Sequence, residues 1–193
     1  MQTIQEWSEY YKSKGIYSFP STYSINWKNW SNITKVEDTY KAIDWNGAKH
    51  LSGIAGIKGI RVVKLMGVNT SDEALTNRLI QSALLILHLP EHYPWILLTN
   101  TTISIIVESE DEEYKMYSKS LKGREDLGLT YVIFLWKSDF LLPIGDDEVR
   151  FISDIPSDRP NHVLNANIFK CLDIFRDKDT LDNSKDVIKA LGL

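Results

Sequence analysis

The sequence predicts an α+β domain in which a mixed central sheet of about seven strands is flanked by helices. Short apolar runs rich in β-branched residues recur along the chain, other segments carry apolar residues at helical spacing, and turn residues separate the two kinds. Hydrophobic residues make up 43% of the 193 positions and charged residues 25%, which is typical of globular proteins. We therefore expect one domain over residues 1–193 with a core of its own.

The first third of the chain alternates short helices and strands. Ile4, Trp7 and Tyr11 lie at helical spacing and predict a helix over residues 3–14. A strand is expected over 16–19, followed by a loop over 21–33. A second helix is expected from Asp38, as its N-cap, to about residue 45. Two strands at 51–57 and 60–66 follow, joined across Lys58 and the next glycine.

The clearest predicted helix opens at a capping box formed by Thr70 and Glu73 and stops at Pro90. The later elements, in order, are a hairpin of strands over 95–99 and 103–108, a helix over 112–121, three strands over 131–136, 139–143 and 149–152, a helix over 165–175 and a short helix within 180–193.

Composition limits the compartment and the kind of site. The single cysteine, Cys171, allows no internal disulfide and no cysteine-rich zinc site, and its apolar neighbours predict a buried structural thiol. No signal-peptide pattern is evident at the first residues, and the apolar runs are too short to span a bilayer. We expect a cytoplasmic protein that does not enter a membrane.

Motif searches favour neither a metal nor a cofactor. His88 and His92 have the i, i+4 spacing of a helical metal site, but Pro90 lies between them and breaks the helix. The glycines at 53, 56 and 59 precede a strand, whereas phosphate-binding loops precede a helix. No cofactor is therefore expected.

Charge and aromatic residues in the first third suit a nucleic-acid partner. Residues 1–70 hold nine Lys/Arg against five Asp/Glu, so their net charge is +4 in a chain of net charge −4. Trp27, Lys28 and Trp30 interleave aromatic rings with a cation, which is how single-stranded nucleic acid is held. On charge alone, ordinary surface variation is the stronger explanation, and the two tryptophans would also anchor a long loop to the core.

Several short segments, in a constant order over about residues 10–176, carry a family resemblance. They are residues 15–20, Trp30, residues 54–57 and 61–63, the Leu-Pro-x-x-Tyr-Pro run of 89–94 with Trp95, Trp136-Lys137, Leu142-Pro143, Ile155-Pro156 and Pro160. This series resembles the primase–polymerase domains of the archaeo-eukaryotic primase superfamily, which phages, plasmids and bacterial mobile elements carry. The resemblance implies an RNA-recognition-like core within the sheet.

The resemblance also implies a two-metal site whose residues are missing from this chain. Lys64 and Met66 stand where the family has the two acids of Asp-x-Asp, and a segment that includes Ser104 replaces its glycine-histidine motif. The strand expected to hold the third acid has Ile133. Because Mg²⁺ requires oxygen ligands, we expect no metal binding and no nucleotidyl transfer.

Three functional hypotheses follow. The first is a catalytically inactive primase–polymerase-like domain that binds single-stranded DNA or a replication protein of a mobile element, with Lys58, Arg61 and Lys64 as neighbours on one surface. The second is a module that binds only protein, which the acidic remainder of the chain would suit. The third is an unrelated enzyme whose site is assembled from scattered acids. The sequence does not determine the oligomeric state.

Overall fold

The structure, a computed structural model, describes residues 3–23, 33–109, 118–145 and 148–176, without the side chains of residues 33 and 34. Its fold is α+β, as predicted. The helices are α1 Ile4–Ser13, α2 Ile33–Lys41, α3 Glu73–Leu87 and α4 Asn165–Phe175, with one 3-10 turn at Glu125–Leu127. The strands are β1 Ser18–Pro20, β2 Leu51–Ala55, β3 Ile60–Met66, β4 Ile96–Leu98, β5 Thr102–Glu108, β6 Lys119–Lys122, β7 Tyr131–Leu135, β8 Ser138–Leu142 and β9 Arg150–Phe151.

The strands form two antiparallel sheets and not the expected single mixed sheet. The three-stranded sheet has the order β1-β2-β8, and the six-stranded sheet has the order β6-β7-β3-β5-β4-β9. Every pairing between these strands is antiparallel. Short turns such as the one between β4 and β5 permit only antiparallel pairing, because a parallel neighbour needs a long crossover.

Two consecutive pairings run from one sheet into the other. β2 pairs with β8 up to Ala55 opposite Ser138, and β3 pairs with β7 from Val62 opposite Leu135. Between them, residues 56–59 form a turn and residues 60–61 pair with β5, while only residues 136–137 separate β7 from β8, so the chain bends from one sheet into the other. Gly56 lies at this bend with φ +104°, and a Cβ there would lie 3.0 Å from the carbonyl oxygen of Trp136. The bend places β8 near one face of the six-stranded sheet.

The two faces of the six-stranded sheet have different neighbours. Phe134 of β7 contacts Phe169 of α4, with ring centroids 6.3 Å apart, and α3 packs alongside α4. The other face is covered at its β4–β9 end by α1, where the ring of Tyr11 lies 6.4 Å from Trp95 and 6.5 Å from Phe151. The remainder of that second face, toward β6 and β7, contains the candidate site.

Tyr93 ties the β4–β5 hairpin to the segment before α4. Its buried hydroxyl donates to the carbonyl oxygen of Ile106 at 2.6 Å and accepts from the backbone nitrogen of Asn161 at 3.0 Å. The indole nitrogen of Trp95 donates to the carbonyl oxygen of Asp158 at 2.9 Å. These bonds satisfy polar groups that would otherwise be buried without partners, so they also hold this segment against the sheet.

Local signals predicted several elements correctly. The helix expected over 165–175 is α4, and α1 has a capping box in which Thr3 and Glu6 bond each other's backbone nitrogens. The paired strands at 95–99 and 103–108 are β4 and β5. The strand expected over 16–19 is β1, which begins at Ser18 and includes Pro20, a residue tolerated at a sheet edge.

Three predicted elements require correction. The N-cap of α3 is Asp72, whose side chain accepts from the nitrogen of Leu75 at 3.0 Å. The hydroxyl of Thr70 instead donates to the backbone carbonyl oxygen of Thr99, which follows β4. The helix expected from Asp38 is α2 and begins at residue 33. The end of the helix expected over 112–121 is part of the edge strand β6, because its backbone pairs with β7.

The remaining expectations concern the chain's last residues and the membrane. The short helix expected within 180–193 lies outside the described residues. Within the described ranges, none of the helices has the length and apolar character needed to cross a bilayer.

Candidate nucleic-acid interface

Part of the six-stranded sheet presents side chains that the described helices do not cover. Residues directly opposite each other in antiparallel strands point to the same face, so the register defines which side chains lie together. We call this region the open face. Its two rows across the strands are Ser120, Ile133, Lys64 and Ser104, and Lys122, Tyr131, Met66 and Thr102. All of them are partly or fully exposed except Ser104, which is 8% exposed.

Lys64 lies at the centre of the open face, on β3 between β5 and β7. Burial lowers the pKa of its amine, and the nearby carboxylate of Asp139 on β8 opposes that effect more weakly. Among the described residues, none forms an ion pair or a hydrogen bond with the Lys64 ammonium. A partly buried cation without a partner is costly, so this position favours an anionic ligand.

Ser104 supplies a hydroxyl beside this ammonium. It stands directly opposite Lys64 in the β3–β5 ladder, where Cβ atoms are about 4.5–5.5 Å apart. Its side chain has no hydrogen-bond partner within the described parts of the chain. An ammonium and a hydroxyl at this separation can both donate to one phosphate oxygen or to two oxygens of one phosphate.

The four positions that the resemblance aligns with catalytic residues come together in space. Lys64, Met66, Ser104 and Ile133 all lie on the open face, on three neighbouring strands. None of these side chains offers a carboxylate. In the part of the chain that the structure describes, no group of three His, Cys, Asp or Glu side chains is placed to hold a metal ion.

Arg61 does not belong to the surface on which the sequence analysis placed it. It is 5% exposed and lies one residue out of phase with Val62 and Lys64, on the opposite face of the sheet. Its guanidinium stacks 3.9 Å from the ring centroid of Trp136, and its Nη1 donates to the carbonyl oxygen of Ile60 at 2.8 Å. The expectation must be corrected, because strand alternation separates Arg61 from Lys64.

Lys58 belongs to a different cluster, in the turn before β3. Its Nζ lies 5.2 Å from the ring centroid of Tyr17, whose hydroxyl donates to the carboxylate of Glu37. Lys12 also pairs with Glu37, at 3.2 Å. The Tyr17 hydrogen bond is the main cause that lowers the pKa of Glu37, and both lysines contribute. Since β3 rises about 3.3 Å per residue, Lys58 is more than about 13 Å along the chain from Lys64.

The aromatic–lysine motif of Trp27, Lys28 and Trp30 lies outside the described residues. The structure instead identifies Tyr131, which the sequence analysis did not select. Its side chain is 47% exposed on the open face, opposite Met66. The sequence feature that could have identified Tyr131 is its position two residues before Ile133 in the same strand, which places both side chains on the same face.

Cys171 is the buried thiol that the sequence predicted. It lies on α4 within the core, and burial raises the pKa of its thiol to about 12. A thiol that stays protonated at neutral pH is a weak nucleophile. Cys171 therefore contributes packing and not chemistry.

Comparison with known proteins assigns no family, so the geometry of the open face is the basis for a proposed function. Models of known protein families give no match to this chain, and curated proteins give none either.

Proposed function

We propose that this domain binds nucleic acid through a phosphate held by Lys64 and Ser104 on the open face, without catalysing nucleotidyl transfer. The observation that carries the proposal is the partly buried Lys64 ammonium, which has no ion-pair partner among the described residues and stands beside an unpartnered hydroxyl. Phosphate contacts supply essentially all of the sequence-independent affinity of proteins for nucleic acids.

The sheet order supports the family resemblance on which the proposal also draws. Four neighbouring strands have the order β7-β3-β5-β4, and α3 connects β3 to β4. This agrees with the first half of a β-α-β-β-α-β core, the pattern expected of an RNA-recognition-like sheet. The second helix of that pattern has a counterpart in α4, which comes later in the chain and packs beside α3 against β7.

The chemistry of the open face supports binding over catalysis. Transfer of a nucleotidyl group needs divalent cations held by carboxylates against the triphosphate. The positions that would supply them carry an amine, a thioether and an alkyl group at Lys64, Met66 and Ile133. A fixed ammonium would contact phosphate directly, in the place where a metal-dependent enzyme uses a cation.

Fluorescence anisotropy with a labelled single-stranded oligonucleotide tests the proposal. We expect Lys64→Gln to weaken binding roughly 10-fold, as expected for the loss of one charged hydrogen bond. Lys170→Gln is the matched control, because Lys170 is exposed on α4, on the far side of the sheet, and should bind like the wild type. In parallel, primer synthesis with Mg²⁺ and nucleoside triphosphates should yield no product.

Three outcomes would contradict the proposal. Equal affinities of the wild type and Lys64→Gln would remove the phosphate site from the open face. Absence of binding to any nucleic acid would favour a domain that binds only protein. Magnesium-dependent primer synthesis would overturn the inactive assignment.

A further inference from the structure

Tyr131 is an exposed ring in a molecule that buries most of its aromatic side chains. Of the described aromatic residues, only Tyr131 and Tyr23 are exposed, at 47% and 39%. The ring of Tyr23 stacks on Phe19, with centroids 5.7 Å apart. Tyr131 makes no ring contact and no hydrogen bond with any described residue. Its ring is therefore available to a ligand on the open face.

The register places this ring beside the phosphate site. Tyr131 is opposite Met66, which is two residues along β3 from Lys64. Diagonal neighbours of this kind in an antiparallel ladder are about 7–8 Å apart, within reach of long and aromatic side chains. Met66 and Ile133 provide an apolar surface between the ring and the ammonium. A base and its own phosphate, separated by one sugar, match this arrangement.

A second cation lies on the other side of the ring. Lys122 of β6 is directly opposite Tyr131, and its exposed Nζ lies 3.2 Å from a carboxylate oxygen of Glu125. Exposed ion pairs of this kind contribute little and exchange partners readily. Tyr131 thus has a lysine on each side, at the positions that successive phosphates would take around one stacked base.

We propose that Tyr131 stacks on a base of single-stranded nucleic acid whose phosphate contacts Lys64 and Ser104. This inference rests on the proposed function and specifies its ligand as unpaired nucleotides. In a duplex the base faces are already stacked on one another, so an exposed tyrosine ring on a sheet has no face to contact. The open face therefore selects single strands over duplexes.

The test uses labelled oligothymidylate, its duplex with oligodeoxyadenylate, and four variants. Tyr131→Ala should weaken single-strand binding by about 5- to 150-fold, the range for one base stacked on an aromatic side chain, and leave weak duplex binding unchanged. Tyr131→Phe keeps the ring and should bind within about twofold of the wild type. Tyr23→Ala is the control for an exposed tyrosine elsewhere, and Lys64→Gln reports on the phosphate site.

A photochemical readout is independent of affinity. Oligonucleotides that carry 5-iodouracil cross-link to aromatic rings in stacking contact, and mass spectrometry identifies the modified peptide. We expect the cross-link at Tyr131 in the wild type. Thermal melts of each variant verify that it is folded, which we expect because the ring of Tyr131 is exposed.

The outcomes separate the two proposals. Lys64-dependent binding that is unchanged in Tyr131→Ala, with cross-links at other residues, overturns the stacking role alone. If Lys64→Gln binds as tightly as the wild type, or if the wild type does not bind, the proposed function is overturned and the stacking role with it. Equal affinity for single strands and duplexes also overturns the stacking role.

Discussion

Replacement of Lys64 by Met removes one charge from the open face and keeps most of the side-chain volume, because both side chains are unbranched. If the ammonium contacts one phosphate, the slope of log affinity against log salt should fall by about 0.7 for a single strand. Between about 50 and 200 mM salt, a fourfold change, the wild type should lose roughly 2.6-fold more affinity than Lys64→Met. Anisotropy titrations across this salt series measure both slopes. Parallel slopes would refute the phosphate contact.

The same substitution should not destabilise the fold. Burial holds the pKa of the Lys64 amine below its ordinary value of 10.5, so its charged form is less favourable in the folded chain than in the unfolded one. Between the folded-state pKa of Lys64 and 10.5, the folded state therefore binds fewer protons than the unfolded chain. The stability of the wild type consequently increases as pH rises through that interval. At neutral pH, Lys64→Met should have an equal or higher free energy of unfolding, and its advantage should shrink with rising pH.

Urea denaturation at neutral and alkaline pH measures this difference. A loss of more than about 1 kcal/mol in Lys64→Met at neutral pH would show that the ammonium stabilises the free protein through a partner of its own. Such a result would remove the argument that the charge is retained for a ligand.

Three further predictions test the fold. Tyr93→Phe removes one buried and one part-buried hydrogen bond and should cost roughly 2 kcal/mol, lowering the Tm by about 4–8 °C; an unchanged calorimetric Tm would contradict this. Gly67→Ala should lower the free energy of unfolding in urea well beyond the ~1 kcal/mol expected for Gly47→Ala. Both glycines have positive φ, but only at Gly67 would a Cβ clash, at 2.2 Å from the hydroxyl oxygen of Thr130, so equal losses would argue against this packing. Cys171 should react with Ellman's reagent at pH 8 only as the chain unfolds, since burial raises the pKa of its thiol to about 12; rapid reaction in native buffer would place it at the surface.

The elements that the sequence predicted well are those specified by neighbours along the chain. α4 has apolar residues at helical spacing, and so does α1, at Ile4, Trp7 and Tyr11. The β4–β5 hairpin follows from two apolar runs with a short polar turn between them. Alternation along one strand likewise places Lys64 and Met66 on the same face without reference to any other part of the chain.

The errors occur where a distant partner overrides the local signal. Thr70 begins a capping box in sequence, but its hydroxyl bonds to Thr99 across the fold and Asp72 caps the helix instead. The residues of β6 have no strand periodicity of their own, and they are a strand because β7 offers an unpaired edge. These choices depend on hydrogen bonds between segments far apart in sequence.

The sequence by itself determined the α+β class, the absence of carboxylates at Lys64, Met66 and Ile133, and the burial of the single thiol. Only the tertiary structure decided that Ser104 stands beside Lys64, that Arg61 faces the other way, and that Tyr131 is exposed. The physical reason is that a face of a sheet is built from several strands, whose register is set by pairing and not by spacing along one segment. A surface made from three such strands therefore exists only once they have paired.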